Sequence, residues 1–409
     1  MKTLAISSLA VALLVSLAAR ADDAWIEQRT VPDEAGPGAQ FGSAASLDGS
    51  LALIGADGED SFHGAAYLYA RGDDGWTELQ RIVADDPSVS EFGFRVVLRD
   101  DVAVVTADSS SPGGNAAQGS AYVFAPDEDT GTWTQTQILL ADNGGVFDNF
   151  GSALALDGDT LVIGAHGATV GANAAQGGAY VFSNLGGTWT ETIELVADDG
   201  AAFDNFGNSA VLVGDTLFVG ANNAQIGDNF GQGAVYAYAF DGSQWTETQK
   251  LVADDGASGA NFGISLAFDG TMLLVGAPGS GGTGAVYAFT NDGAKWVQQQ
   301  RIVGDDLVSG DNFGSAIAID AGRALIGADV QTVDGATSRG SAYLFDFDDG
   351  AWTQDHKFVS SDGATDDFFG LAVALEGDTA LISTLHPNAN QGAAYFYTND
   401  TIFADGFDG

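Results

Sequence analysis

The sequence predicts an all-β fold, a seven-bladed β-propeller of four-stranded antiparallel blades whose N-terminal strand completes the last blade. Three observations carry this expectation. Seven tryptophans (Trp25, Trp76, Trp133, Trp189, Trp245, Trp296, Trp352) are each followed 16 or 17 residues later by a Phe-Gly pair, beginning at Phe41, Phe92, Phe150, Phe206, Phe262, Phe313 and Phe369. The resulting period of 51 to 58 residues marks a repeat architecture. Within each repeat, four short apolar runs are separated by turn residues. Finally, the chain opens on a lone fourth-strand segment and closes on a repeat that lacks one.

The first residues are set aside as a targeting segment. Lys2 precedes an uncharged apolar run from Leu4 to Ala18, then Ala19-Arg20-Ala21, a small-x-small cleavage pattern. The run is short for a membrane span, and no later segment replaces it. The expected organisation is a signal peptide over 1–21, a propeller over 22–398 and a tail over 399–409, in an exported protein with no membrane insertion after cleavage.

The orphan segment WIEQRTV begins at Trp25. The repeat from Phe150 then shows the unit: SALAL and TLVIGA joined by Asp157-Gly158-Asp159, and AYVF and WTETIELV joined by Asn184-Leu185-Gly186-Gly187. Asp-Gly turns tolerate the positive φ of tight hairpins, so each repeat reads as a four-stranded meander. Tyr180 and Phe182 alternate and share one face of their strand, where they fill the space between sheets. The fourth strand carries Thr190, Glu191, Thr192 and Glu194, an outer edge that resists pairing with another chain. Gly151, Gly164 and Ala165 put almost no side chain near the crowded axis. The last repeat supplies first, second and third strands between Phe369 and Tyr397, so Trp25 should complete it and close the ring.

Composition bounds the function. There is no cysteine, and the formal charge of −43 becomes more negative when Lys2 and Arg20 leave with the signal. Such a chain repels phosphate backbones, which excludes nucleic acid as a partner. Cations, cationic proteins and neutral glycans remain.

The alternation of Phe-Gly with Gly-Ala-x, as GAD at Gly55, GAH at Gly164, GAN at Gly220, GAP at Gly276 and GAD at Gly327, resembles the FG-GAP repeats of the integrin α-subunit propeller and of bacterial secreted proteins. The resemblance covers residues 25 to 397, with the motif degenerate at Thr106-Ala107-Asp108 and Ser383-Thr384-Leu385. It implies a seven-bladed propeller acting as a binding or adhesion scaffold. Integrin-like calcium loops do not carry over, because the first-to-second turns here are too short to surround an ion. The tail TIFADGFDG, from Thr401, resembles short DGF-type tails of exported bacterial proteins.

In a meander, the second-to-third loops and the inter-blade loops share one face and the tight turns share the other. The long polar loops are where binding residues concentrate. Asp57, Asp108, His166, Asn222 and Asp329 follow the Gly-Ala pairs (or their Thr-Ala substitute) and are expected to ring the channel mouth, alongside Pro278 and Leu385. Arg95 stands where the other repeats place Ala44, Ala153, Ser209, Ser265, Ala316 and Ala372 on the innermost strand. Its charge must be paired or wet, with Asp100 or Asp101 as the expected structural partner and ligand contact as the alternative. The inter-blade motifs ADDGAAFDNFG, ADDGASGANFG and GDDLVSGDNFG carry Asp198, Asp199, Asp204, Asp254, Asp255, Asp305, Asp306 and Asp311. These fit turn formation, calcium ligation, which makes calcium the candidate cofactor, or an electrostatic surface for a cationic partner. His63 and His386, in loops brought together by ring closure, with Glu59 and Asp60 beside His63, form a lesser metal or base candidate.

Gly279-Ser280-Gly281-Gly282-Thr283-Gly284 fits a dinucleotide fingerprint only formally, since it opens no helix. Arg71-Gly72-Asp73 occupies a hairpin turn and reads as a chance match to an adhesion tripeptide. The expected function is a secreted, monomeric, non-catalytic scaffold that recognises a protein, glycan or cation through its long-loop face. The alternatives are a secreted hydrolase with carboxylates at the channel mouth and a self-assembling surface structural protein.

Overall fold

A computed structural model describes residues 25–86, 89–385 and 390–399. It contains seven four-stranded antiparallel sheets, each a blade. The segments assigned to the signal peptide and to most of the tail lie outside the described residues, as does His386. No helix among the described residues is long and apolar enough to cross a membrane.

Blades 1 to 6 are consecutive meanders over 41–82, 96–139, 150–195, 206–251, 266–302 and 317–358. Blade 7 joins Val373–Glu376, Thr379–Thr384 and Ala393–Asn399 to the N-terminal strand Trp25–Thr30, which pairs antiparallel from Trp25↔Asn399 to Thr30↔Ala394. The ring is therefore closed as expected. Arg71 crosses the closing junction to Asp378 with hydrogen bonds of 2.7 and 2.9 Å, so its place in Arg71-Gly72-Asp73 is structural.

Each pair of neighbouring blades encloses its own apolar core. The core between blades 2 and 3 joins Val104 and Val123 to Phe150, Tyr180, Phe182 and Trp189, all buried. Tyr180 and Phe182 do share a face, and both meet Phe150 edge-on at 5.5 and 6.0 Å between centroids, the geometry aromatic quadrupoles favour. Across the closing junction, Trp76 stacks on Phe396 at 4.4 Å.

The Phe-Gly pairs act as stitches between blades. Each Phe forms a parallel bridge to the glycine that precedes the third strand of the previous blade, from Gly64↔Phe92 round to Phe41↔Gly392. At all seven of these glycines φ is positive, and an added Cβ would lie 1.9–2.2 Å from the phenylalanine carbonyl oxygen. Only glycine accepts both the conformation and the approach. In blades 1, 3 and 4 the first strand starts at the Phe and shifts register within four residues. In the other four blades the regular strand begins only after that irregularity, so it is shorter than the apolar run suggests.

A second device latches the rim. A fourth-strand glutamine grips the main-chain N–H and C=O of the next blade's tryptophan: Gln28 holds Trp76 at 2.8 and 2.6 Å, and Gln80, Gln137, Gln249 and Gln300 hold Trp133, Trp189, Trp296 and Trp352 in the same way. Each latch covers the edge of an outermost strand that would otherwise be open to pairing.

Candidate functional site

The seven first strands surround an axial cavity of about 260 Å³ lined largely by Ala, Ser and aliphatic side chains. Toward the long-loop face it adjoins cavities of about 400 Å³, with His166, Asn205, Asn208 and Asn222, and about 280 Å³, with Asp57 and Leu385. Arg95 and Ser315 line all three. Among the expected mouth residues, Asp57, His166 and Asn222 thus face this space, while Asp108 and Asp329 are only 5% and 8% exposed.

Arg95 does not pair with Asp100 or Asp101. It enters the first strand of blade 2 at the mouth end, whereas both aspartates lie in the turn beyond Arg99 at the opposite end, about 16 to 20 Å along an extended chain. The guanidinium instead lies against its neighbour's ring, 4.3 Å from the Phe94 centroid, and donates to the Phe94 carbonyl at 3.1 Å. Burial holds it below its usual pKa, and the charges of Asp108 and Asp57 oppose that shift.

The surrounding groups carry the mark of desolvation. Burial pushes Asp57 up to about 6 against a hydrogen bond from Ser43, and pushes Asp108 up to about 6 with help from Glu91. Asp329 is raised for the same first reason. His166 is lowered by burial and then by Arg95. Asp57 Oδ1, Asp329 Oδ1, His166 Nδ1 and Ser315 Oγ are all buried without a hydrogen-bond partner. Perturbed carboxylates beside a cation in a cleft mark a candidate functional site.

The eight inter-blade aspartates are not gathered into a cage; no group of three or more potential ligands forms among the described residues. Asp199 accepts from Tyr236 and Lys250, both at 2.8 Å, and Asp306 accepts from Tyr343 at 2.6 Å and Lys357 at 2.5 Å. Burial raises both carboxyls, but these donors outweigh it and leave each below the ordinary value. Asp255 repeats the arrangement with Tyr287 and Arg301. Asp204 and Asp311 close their own loops by accepting from Ala201 N and Val308 N. Asp198, Asp254 and Asp305 turn their backbone N–H groups to side chains of the next blade's fourth strand. Glu59 is likewise occupied, by Tyr67 at 2.5 Å and Arg81 at 2.7 Å, and His63 Nδ1 meets the Asp60 carbonyl.

One class of residue escaped the sequence reading. Asn149, Asn205 and Asn261, each just before a Phe-Gly pair, hold positive φ of 55 to 59° and reach the carbonyls of Asp108, His166 and Asn222 at 3.4 Å. They position the mouth ring, and asparagine is a residue that tolerates this backbone. The recurrent N-F-G triplet was the available signal.

The FG-GAP repeat model matches the chain seven times, over residues 25–69, 76–124, 133–182, 189–238, 245–289, 296–345 and 352–397. Each match starts at a fourth-strand tryptophan and ends in the third strand of the next blade, so repeat and blade are offset by one strand. None of the curated proteins compared matches the chain. The crystal structure of Sqt1 from Saccharomyces cerevisiae is similar in fold, with a TM-score of 0.51 at 12% identity over 91% of this chain and 87% of that one. Seven matched repeats, a ring stitched at every Phe-Gly pair and blades offset from repeats by one strand lead to one assignment: the chain belongs to the FG-GAP repeat family.

Proposed function

We propose that this chain is an exported, non-catalytic binding scaffold that captures a basic protein surface on its long-loop face. The FG-GAP propeller fold itself points to a binding scaffold. The observation that carries the finer reading is a set of phenylalanines on that face, Phe62, Phe147, Phe203 and Phe230, which are 54%, 64%, 62% and 70% exposed. Three of them, Phe62, Phe147 and Phe203, hold φ of 70, 65 and 69°, a backbone region that bulky residues rarely adopt and that concentrates at ligand-contacting sites. Exposed aromatics are the usual anchors of protein interfaces. The aspartates around them attract a cationic partner and set its approach.

The test uses a photoreactive phenylalanine analogue at Phe203, with one at Leu185 on the opposite face as control. A partner crosslinked from the first position alone, with a yield that falls as salt rises, supports the reading. Equal crosslinking from both positions, or none from Phe203, refutes it.

The raised carboxylates of Asp57 and Asp108 beside Arg95 favour a second reading, a hydrolase acting at the channel mouth. Turnover of a glycoside or ester panel that disappears in Asp57→Asn would select it.

A further inference from the structure

Two of the seven rim junctions lack the glutamine latch, and the one between blades 3 and 4 opens a cavity. At four latched junctions the glutamine stands four residues after the fourth-strand tryptophan; here that position is Ile193, 37% exposed. Trp245, which the latch would have gripped, is only half-buried. Trp76, Trp133, Trp189, Trp296 and Trp352 are 3–9% exposed. Between Ile193 and the ring pair Phe240–Trp245, whose centroids are 5.2 Å apart, lies a cavity of about 320 Å³.

Blade 6 provides an internal control. It carries the equivalent pair Phe347–Trp352, at 5.3 Å, but Gln300 latches Trp352, which is 4% exposed. The aromatic pair alone therefore does not open the rim; at blades 3 and 4 it coincides with a missing glutamine. With the same strand register as in blade 3, the Trp245 N–H and C=O are left to the seam.

We propose that this seam binds a neutral pyranose unit of a glycan. The volume is in the range of small-ligand pockets, about 300–1000 Å³. Trp245, Phe240 and Ile193 offer an apolar wall to the C–H face of a sugar ring. Ser183, Asp215 and Gln244 also line the cavity, and their side chains make no hydrogen bond among the described residues. They supply donors and acceptors suited to ring hydroxyls. Asp215 is the one ionisable group in the lining, and a chain of formal charge −43 disfavours acidic sugars. A quaternary ammonium, the other ligand that aromatic walls attract, needs a closed aromatic box, and this wall has two rings among hydrogen-bonding groups. The seam is formed by the first-to-second turn and third-to-fourth hairpin of blade 4, on the tight-turn side. Its occupant is independent of any partner on the long-loop face.

The experiment is saturation-transfer NMR on the mature chain with methyl β-glucopyranoside, methyl β-galactopyranoside and methyl α-mannopyranoside, plus tetramethylammonium as a competing probe. At least one glycoside should bind and shift the Trp245 indole resonance. Ile193→Gln, which installs the missing latch, should weaken that binding at least tenfold with the melting temperature unchanged or raised. Gln244→Ala, on an exposed hairpin where folding is not at risk, should weaken it as well. The proposal is overturned if no glycoside binds, if both variants bind as tightly as wild type, or if tetramethylammonium alone binds and is lost in Ile193→Gln.

Discussion

Replacing Asp108 with asparagine should stabilise this protein at neutral pH and lose that effect in acid. Asp108 is 5% exposed, and burial followed by the charge of Glu91 raises its carboxyl from the ordinary 3.8 to about 6. Because the folded value lies above the unfolded one, the native state holds the proton more tightly. Its contribution is therefore fully present below about pH 3.8 and is lost as pH rises through 6. A shift of about two units, at about 1.4 kcal/mol each, makes the ionised carboxylate unfavourable by about 3 kcal/mol at pH 7 and by under about 1 kcal/mol at pH 4. The attraction of Arg95 already acts within that value, since it lowers the carboxyl against the larger desolvation. Asparagine cannot ionise and keeps an oxygen for the Ser109 hydroxyl, which now donates to Oδ1 at 3.3 Å. Urea unfolding of both proteins at pH 7 and pH 4 measures the difference. A variant less stable at pH 7, or a gap of equal size at both pH values, would refute the desolvation argument.

Two further outcomes test the ring itself. Gly177→Ala forces a Cβ to 1.9 Å from the Phe206 carbonyl at φ +91° and should lower the urea midpoint strongly, since the backbone conformation alone costs about 1–2 kcal/mol; a wild-type midpoint would remove the stitch from the account. Deleting residues 22–32 removes the strand paired with Ala393–Asn399, so hydrogen exchange should quicken first in that strand, and unchanged protection there would contradict closure through the N-terminus.

The repeats were legible because each conformational demand selects a residue type. The Phe-Gly stitch needs a ring and a flexible neighbour, the hairpins need Asp-Gly, and the misplaced Trp25 announced its own partner strand. The mouth was half legible. Position after Gly-Ala led to Asp57, His166 and Asn222, which line the cavities at the channel, but sequence neighbours suggested a partner for Arg95 that an extended strand holds at its far end. The roles of the Asp-Asp pairs stayed open between turn, calcium ligand and charged surface because the side chains that meet the second aspartate are distant in the chain: Tyr236 is 37 residues from Asp199, and Lys250 is 51. The rim latch was written openly in WTQTQ and WTETQ, yet a glutamine on an exposed strand carries no signal until the next blade is beside it.

The pairing of Trp25 with Asn399 has a mechanical meaning. Chain enters and leaves blade 7 at adjacent points on one antiparallel ladder, so tension drawn between them peels that ladder from its end, one rung at a time. A shear geometry would load every rung together. Forced rupture is governed by the barrier to opening, and in this ring that barrier is the first few rungs of one strand, with Gln28 on Trp76 and Arg71 on Asp378 holding blades 7 and 1 together beside it.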